Sequence, residues 1–212
     1  TAVGLASLLG VRLRLPLAPL QAQTTGHGDR VHEYCVVFVQ ICGLAKARAN
    51  RIEMRLTTSD LRLFILNAIE EIRLADRNAH ELVLRLTPDA PTPFVTDTNL
   101  LHHIVSNLLS NAVRYSPPGK PITITMTAGD ERLQLTVEDE GIGIPAADHA
   151  RIFQPFERAS NVGNIKGTGL GLSIVKRLTE MLGGTITLAA APTGGCCFTL
   201  TLPRLPLPQI PL

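Results

Sequence analysis

The stretch Gly167-Thr168-Gly169-Leu170-Gly171-Leu172-Ser173-Ile174-Val175-Lys176 sets three alternate glycines at the mouth of a helical pattern that runs to Leu182. Backbone N–H groups at such a helix start are free to bind an anion. On paper the spacing matches a dinucleotide fingerprint. That reading needs a preceding strand inside a βαβ unit, and the context does not supply it. A Walker-type loop ending in Gly-Lys-Ser/Thr is also absent. The glycines alone therefore leave the fold to be read from their flanks.

Upstream lie a polar loop, Ala159 to Lys166, a short helix expected near 147–153, and a second glycine-rich turn over 141–145. Before these, ITITMT (122–127) and RLQLTVED (132–139) alternate with period two and are joined by Ala128-Gly129-Asp130-Glu131, a hairpin pattern. Asp97 can cap a long helix ending near Tyr115, which Ser116-Pro117-Pro118-Gly119 stops, because proline cannot continue a helix. Phe94-Val95-Thr96 and ELVLRL (81–86) read as strands, with a loop over 88–93. An earlier helix starts at Asp60, preceded by Thr57, Thr58 and Ser59, all capping types. Downstream, Gly183-Gly184 ends the glycine-led helix, and TITLAA (185–190) and CCFTLTL (196–202) close the domain. Most strand neighbours are hairpins, so the expected class is α+β: one mixed sheet with helices on one face. The tail LPRLPLPQIPL carries too many prolines for a central strand.

The 212 residues are 45% hydrophobic, enough to bury a sizeable core, and their formal charge is only +2, which gives no reason to expect nucleic acid. Cys35, Cys42, Cys196 and Cys197 form no CxxC pair and no zinc-type cluster. In a strand, Cys196 and Cys197 point to opposite faces. A reduced, cytoplasmic compartment is the simplest reading, with membrane anchoring of a longer parent left open. Residues 1–40 show no clear period and read as a poorly ordered or remnant segment, too often interrupted for a membrane span. The missing initiator Met reads as a piece of a longer chain. Residues 41–56 (ICGLAKARANRIEMRL) look helical.

Four places carry candidate chemistry. Asn107 and Asn111 are one turn apart on one helix face, and an amide oxygen suits Mg²⁺; read alone, they could equally be exposed or capping. Arg114 and Tyr115 suit a phosphate and a base, or plain surface packing. Asp139 ends an alternating strand and could accept from an exocyclic amine, with Gly141 and Gly143 allowing close approach, or it could open an ordinary turn. Gly167, Gly169 and Gly171 offer the anion site.

Taken together, NLLSNAVRYS (107–116), VEDEGIGIP (137–145), IFQPFERAS (152–160) and GTGLGLSIVKRLTEMLGG (167–184) resemble, in order and spacing, the N, G1, F and G2 boxes of the histidine-kinase branch of the Bergerat-fold ATPases. That superfamily also includes gyrase and a heat-shock chaperone. The resemblance implies a two-layer α/β sandwich over residues 60–203 that binds ATP with Mg²⁺ and phosphorylates a histidine. It implies that Asn111 coordinates the metal with Asn107 in support, and that Arg114 nears the phosphates. Tyr115 would pack on the adenine, Asp139 would recognise its amine, and Gly141, Gly143 and Ile144 would shape that wall. Phe153 and Phe156 would anchor a lid flanked by Arg158 and Lys166, two candidate phosphate ligands. Gly167, Thr168, Gly169, Leu170, Gly171 and Leu172 would meet the phosphate chain. Members that hydrolyse ATP resemble one another in having Glu where Asn107 stands, and an amide cannot take a proton from water. Asn107 therefore argues for transfer over hydrolysis. Cys197, before Phe198, replaces a small hydroxyl residue that relatives often place near the adenine.

The resemblance also implies partners: a histidine-bearing helical hairpin, in the same full-length protein or in trans, a response-regulator receiver domain, and a homodimer through the hairpin. No His-acidic-Leu-Arg-Thr-Pro stretch occurs in the chain. His32-Glu33 matches two letters, and His80-Glu81 opens a strand. Residues 41–59 read as the stub of the hairpin, and 204–212 as a proline-rich tail. The competing readings are a non-catalytic nucleotide-binding regulator of the same fold and a gyrase-type ATPase.

Overall fold

A computed structural model describes residues 54–77, 79–87, 93–129 and 131–206. The readings of residues 1–40, of the hairpin stub as far as Glu53, and of His32, Cys35 and Cys42 lie outside the described residues, as does the tail from Leu207.

Helix α1 spans Leu61–Ala75; the Asp60 side chain caps it by accepting from Leu63 N at 3.1 Å. Its apolar residues recur at helical spacing, which buries Leu61, Ile65, Ala68 and Ile69 along one stripe. Helix α2 spans Thr98–Tyr115. Its cap, Asp97, is buried: Oδ1 accepts from Asn99 N and Leu100 N, and Oδ2 from Arg55 N at 2.7 Å. The α2 stripe Leu101, Ile104, Val105, Leu108 and Leu109 is almost wholly removed from water, each side chain stabilising the fold by about 1.5–3 kcal/mol. Helix α3 spans Gly171–Met181 and packs against α2.

The strands are β1 (Thr57–Ser59), β2 (Glu81–Leu86), β3 (Phe94–Thr96), β4 (Pro121–Ala128), β5 (Arg132–Asp139), β6 (Thr185–Ala190) and β7 (Cys196–Pro203). Five of them form a sheet in the order β2-β4-β5-β7-β6, parallel between β2 and β4 and antiparallel elsewhere. Register aligns Ile124, Val137 and Phe198, then Met126, Leu135 and Leu200, on one buried face. The alternate residues Thr125, Thr136, Thr199 and Thr201 are only half-buried. The helices cover the apolar face, so the mixed sheet with helices on one side is as expected.

Two local readings change. Thr57–Ser59 is a strand paired antiparallel with β3, Thr57 opposite Thr96 and Ser59 opposite Phe94, and Asp60 alone caps the helix. The helix expected near 147–153 is a single 3₁₀ turn, Ala146–Asp148, followed by turns to Phe156, which lies at φ +67°. Strand β7 ends at Pro203, so Leu202 and Pro203 still pair with β5. Among the described residues no helix is long and apolar enough to cross a membrane.

Candidate nucleotide site

The end of β5, the end of α2 and the start of α3 meet at one end of the sheet. Asp139 is the last residue of β5, and it is buried. Its Oδ1 accepts from Gly141 N at 2.9 Å and from Cys196 N at 3.2 Å. Burial pushes its carboxyl above the usual aspartate range; the two backbone donors pull it back, and neighbouring Glu138 adds to the rise. A buried carboxylate with one oxygen fixed by the backbone is a rigid acceptor for a ligand donor.

Tyr115 ends α2 against this turn. Its carbonyl accepts from Ile142 N at 3.2 Å, and a Cβ on Gly141 would stand 2.5 Å from that oxygen. The closest fit falls on Gly195, at φ +84°, where a Cβ would lie 2.1 Å from Asp139 O and 2.6 Å from Gly141 N. Gly195 therefore closes the wall from the β6–β7 side. The sequence reading did not single it out.

One turn back along α2, Asn107 and Asn111 face the start of α3. A Cβ on Gly171 would stand 3.0 Å from Asn107 Oδ1 and 3.8 Å from Asn111 Nδ2. Asn107 Nδ2 donates to the carbonyl of His103 at 2.8 Å, which leaves Oδ1 turned toward α3. Both asparagines are half-buried. Gly167 lies beside the same helix end, its Cβ position 3.5 Å from Tyr115 Oη and 3.7 Å from Arg114 Nη1. The structure thus brings Asn107, Asn111, Arg114, Tyr115, Asp139, Gly141, Gly167 and Gly171 around one cleft. Gly143 borders it, its Cβ position 3.5 Å from Gly195 O.

The segment between the glycine turns is held at its base. Asp148 is buried and accepts from Ser160 N at 2.6 Å, Ser160 Oγ at 2.8 Å and Arg151 Nε at 2.9 Å. These bonds, the backbone N–H of Ser160 first, hold its carboxyl down at about 2. They also bend the chain here, where a helix was expected. Asn161 Nδ2 donates to the carbonyls of Ile142 and Gly143, at 3.2 and 3.0 Å, tying the loop to the adjacent turn. Gly169, at φ +71°, crosses the Phe156 backbone so closely that a Cβ would stand 2.6 Å from Phe156 C; Phe156 N donates to Gly169 O at 3.0 Å.

Other candidates sit apart from the cleft or face away from it. Arg158 Nη2 donates to the carbonyl of Ile165 across the loop, and its Nε is buried without a partner. Lys166 and Thr168 are exposed. The side chains of Ile144, Leu170 and Leu172 pack into or against the core, so only their backbones can border the cleft. Phe153 meets Phe198 edge to face at 6.5 Å, but the Phe156 side chain is 72% exposed, and only its backbone bonds to Gly169. Cys197 lies on the outer sheet face opposite Glu138, and it is Cys196 whose side chain turns inward beside Asp139. Burial, then the Asp139 charge, pushes the Cys196 thiol up to about 12.

Known proteins resemble this chain in sequence and in fold. Sensor-like histidine kinase SenX3 of Mycolicibacterium smegmatis is 34% identical over 71% of this chain, and sensor protein TorS of Escherichia coli is 40% identical over 58%. The chain spans 39% of the length of SenX3 and 13% of TorS. The mycobacterial sensor histidine kinase MprB superposes with a TM-score of 0.62 at 28% identity, over 72% of this chain and 100% of that one. The family described as histidine kinase-, DNA gyrase B- and HSP90-like ATPase matches residues 96–206, more than half of the 212. The cleft between Asp139 and the α3 glycines lies wholly within that span, and the chain belongs to this family, in the company of its sensor histidine kinases.

Proposed function

We propose that this chain holds Mg-ATP in the cleft and transfers the γ-phosphoryl group to a histidine on a helical hairpin domain, in the same full-length protein or in trans. A receiver domain of a response regulator would take the phosphoryl group onward. The carrying observation is the meeting of a buried, backbone-fixed carboxylate, Asp139, with a glycine-led helix start set against Asn107 and Asn111. Adenine binds at one end and phosphate at the other in this reading.

Asp139 accepts from the adenine amine, Tyr115 packs on the base, and Gly141, Gly143 and Ile144 border it. Backbone N–H groups along Gly167 to Leu172, with Leu170 N giving up its bond to Thr168 Oγ1, meet the phosphates, and Arg114 lies beside them. The buried Nε of Arg158 is a donor in reserve should the loop shift, and Lys166 is the weakest phosphate candidate because it is exposed. Among the described residues no cluster of His, Cys, Asp or Glu could hold a metal by itself. That fits Mg²⁺, which keeps waters and takes substrate phosphates with one or two hard protein oxygens; Asn111 supplies one and Asn107 supports it. When bound, the ion neutralises charge on the transferring phosphoryl group. In the transfer the bond from the γ-phosphorus to its bridging oxygen breaks, a phosphorus–nitrogen bond to the imidazole forms, and ADP leaves. An amide at 107 cannot take a proton from water, so positioning carries the reaction.

Incubating the chain with γ-labelled Mg-ATP and a separately made histidine hairpin from a related kinase tests this. Acid-labile label on the hairpin is the expected result. Label on the chain alone would place an acceptor within it, His32 first. Bound ATP with no label would favour a non-catalytic regulator. Asn111→Ala should remove the Mg²⁺ dependence of ATP binding, measured by titration with and without chelator; unchanged dependence would move the metal to another residue.

A further inference from the structure

Strands β2 and β6 are the two edges of the five-stranded sheet, and the edges differ. β2 carries the exposed charges Glu81 and Arg85, and Arg73 Nη2 donates to its Leu82 carbonyl at 3.4 Å. Charges and side-chain cover of this kind blunt an edge against further pairing. β6, Thr185-Ile186-Thr187-Leu188-Ala189-Ala190, has no charge and no proline. Its register with β7 runs without a bulge from Thr185 opposite Thr201 to Ala190 opposite Cys196. Among the described residues only β7 pairs with it.

The phase of the ladder fixes which groups this edge offers. Just beyond the strand, Ala191 N donates at 3.3 Å to the carbonyl of Gly195, the residue directly opposite it in the same register. Hydrogen-bonded and non-hydrogen-bonded pairs alternate along an antiparallel ladder. Thr185, Thr187 and Ala189 therefore turn their N–H and C=O to β7, and Ile186, Leu188 and Ala190 turn theirs outward. Side chains alternate as well: Thr187 is exposed on the outer face, while Ile186 and Leu188 are half-buried against the core. Thr187 also ends a row. Thr125, Thr136, Thr199 and Thr187 lie side by side across four strands, with Thr136 Oγ1 3.4 Å from Thr199 Oγ1.

We propose that β6 pairs antiparallel with β6 of a second copy of this chain, about a twofold axis through Thr187. A twofold perpendicular to the sheet keeps every side chain on its own face. It sets Thr187 opposite Thr187 and Ile186 opposite Leu188. The phase agrees: Ile186 and Leu188, whose N–H and C=O point outward, exchange N–H···O bonds across the axis. Thr187 meets Thr187 in a non-hydrogen-bonded pair, where side chains come closest. The threonine row runs on from one sheet into the next, a favoured cross-strand pairing, and no charge opposes it. A foreign strand would have to match both faces, whereas a second copy does so by symmetry. Only the 6 residues of each strand take part. That falls short of the roughly 1,000 Å² of a stable interface, so the pair is weak.

The test follows self-association of the full chain by sedimentation from about 10 µM to about 1 mM, the range of a weak pair, with backbone amide exchange read at both ends. Association should rise with concentration. The Ile186 and Leu188 amides, fast in dilute solution, should become protected, and the Thr187 amide should be protected throughout. Thr187→Lys sets like charges opposite each other and should weaken association at least about fivefold. Thr187→Asp should do the same, and an equal mixture of the two variants should associate at least as well as the parent. Protected β7 amides check that each variant is folded. A chain that stays monomeric to the top of the range, association that leaves the Ile186 and Leu188 amides fast, or a mixture that does not re-associate would overturn the proposal. So would protection of those amides already in the most dilute sample, which would put another segment of the same chain on this edge.

Discussion

The two ends of the cleft are built differently. The Asp139 wall is buried, its carboxylate is fixed by two backbone donors, and Gly141 and Gly195 let three backbone segments touch. The loop leading to the α3 glycines is mostly exposed and hangs from a few side-chain bonds, through Asp148, Asn161 and Arg158. On the proposed reading, rigid packing suits the end that would read one base by hydrogen bonding, since a donor or acceptor half an ångström out of place loses its value. Sparse anchoring suits the end that on this reading would admit and release a phosphate chain, because segments with few buried contacts open at low cost. Substitutions in the wall should therefore act on affinity or stability strongly, and those in the loop weakly.

The largest effect belongs to Asp139→Asn. The amide oxygen can still accept from Gly141 and Cys196, so the fold survives, but the new NH₂ faces the adenine amine donor to donor. Nucleotide affinity should fall at least about a hundredfold, near 3 kcal/mol, as read by titration with a fluorescent ADP analogue. Unchanged affinity would remove Asp139 from the site. Stability should hold or rise slightly. Burial raises this carboxyl, and a raised carboxyl weakens the fold above its unfolded titration and is relieved as pH falls. Asp139→Ala is the poorer test, because it orphans both N–H donors.

Gly195→Ala comes next and acts on the wall's shape rather than its chemistry. Its Cβ would meet Asp139 O at 2.1 Å from a backbone at φ +84°. Overpacking and left-handed strain together should cost about 3 kcal/mol, visible as a lower denaturant midpoint. A variant as stable as the parent would show that the wall can give, and the contrast with the loop would collapse.

That residue also marks where the sequence stops being readable. The α2 stripe and the β4–β5 alternation follow from local period, and those elements are found where period puts them. Gly195 stands far from Gly141 in the chain, and only the pairing of β5 with β7 brings them together. Thr57–Ser59 reads as a capping run because its partner, β3, is specified by a register rather than by local pattern. The helix expected at 147–153 fails for a similar reason: Asp148 turns its carboxylate to Ser160, a bond no local propensity predicts. Parity explains the reassignment from Cys197 to Cys196, since a strand alternates faces and one residue decides which side chain meets Asp139. Most of the cleft was legible because its residues lie in three of the four short boxes, each carried by a local turn or helix face. The contacts that join the boxes were not.

The smallest effect is expected at the loop's base. Asp148 is held down at about 2 by Ser160 and Arg151. A depressed carboxyl contributes stability that is complete above the ordinary aspartate range, near about 4, and is lost as pH falls through about 2. At neutral pH the contribution is fully present, so Asp148→Ala, which removes the acceptor, should release the Ser160 amide, seen as faster hydrogen exchange there. Asp139 and its two donors should stay protected, and nucleotide affinity should change by less than about tenfold, because the wall is anchored independently. The acid sensitivity of Ser160 exchange should vanish in the variant. If loosening this base instead weakened adenine recognition as much as Asp139→Asn does, wall and loop would be one cooperative unit, and the division between a reading end and a releasing end would not hold.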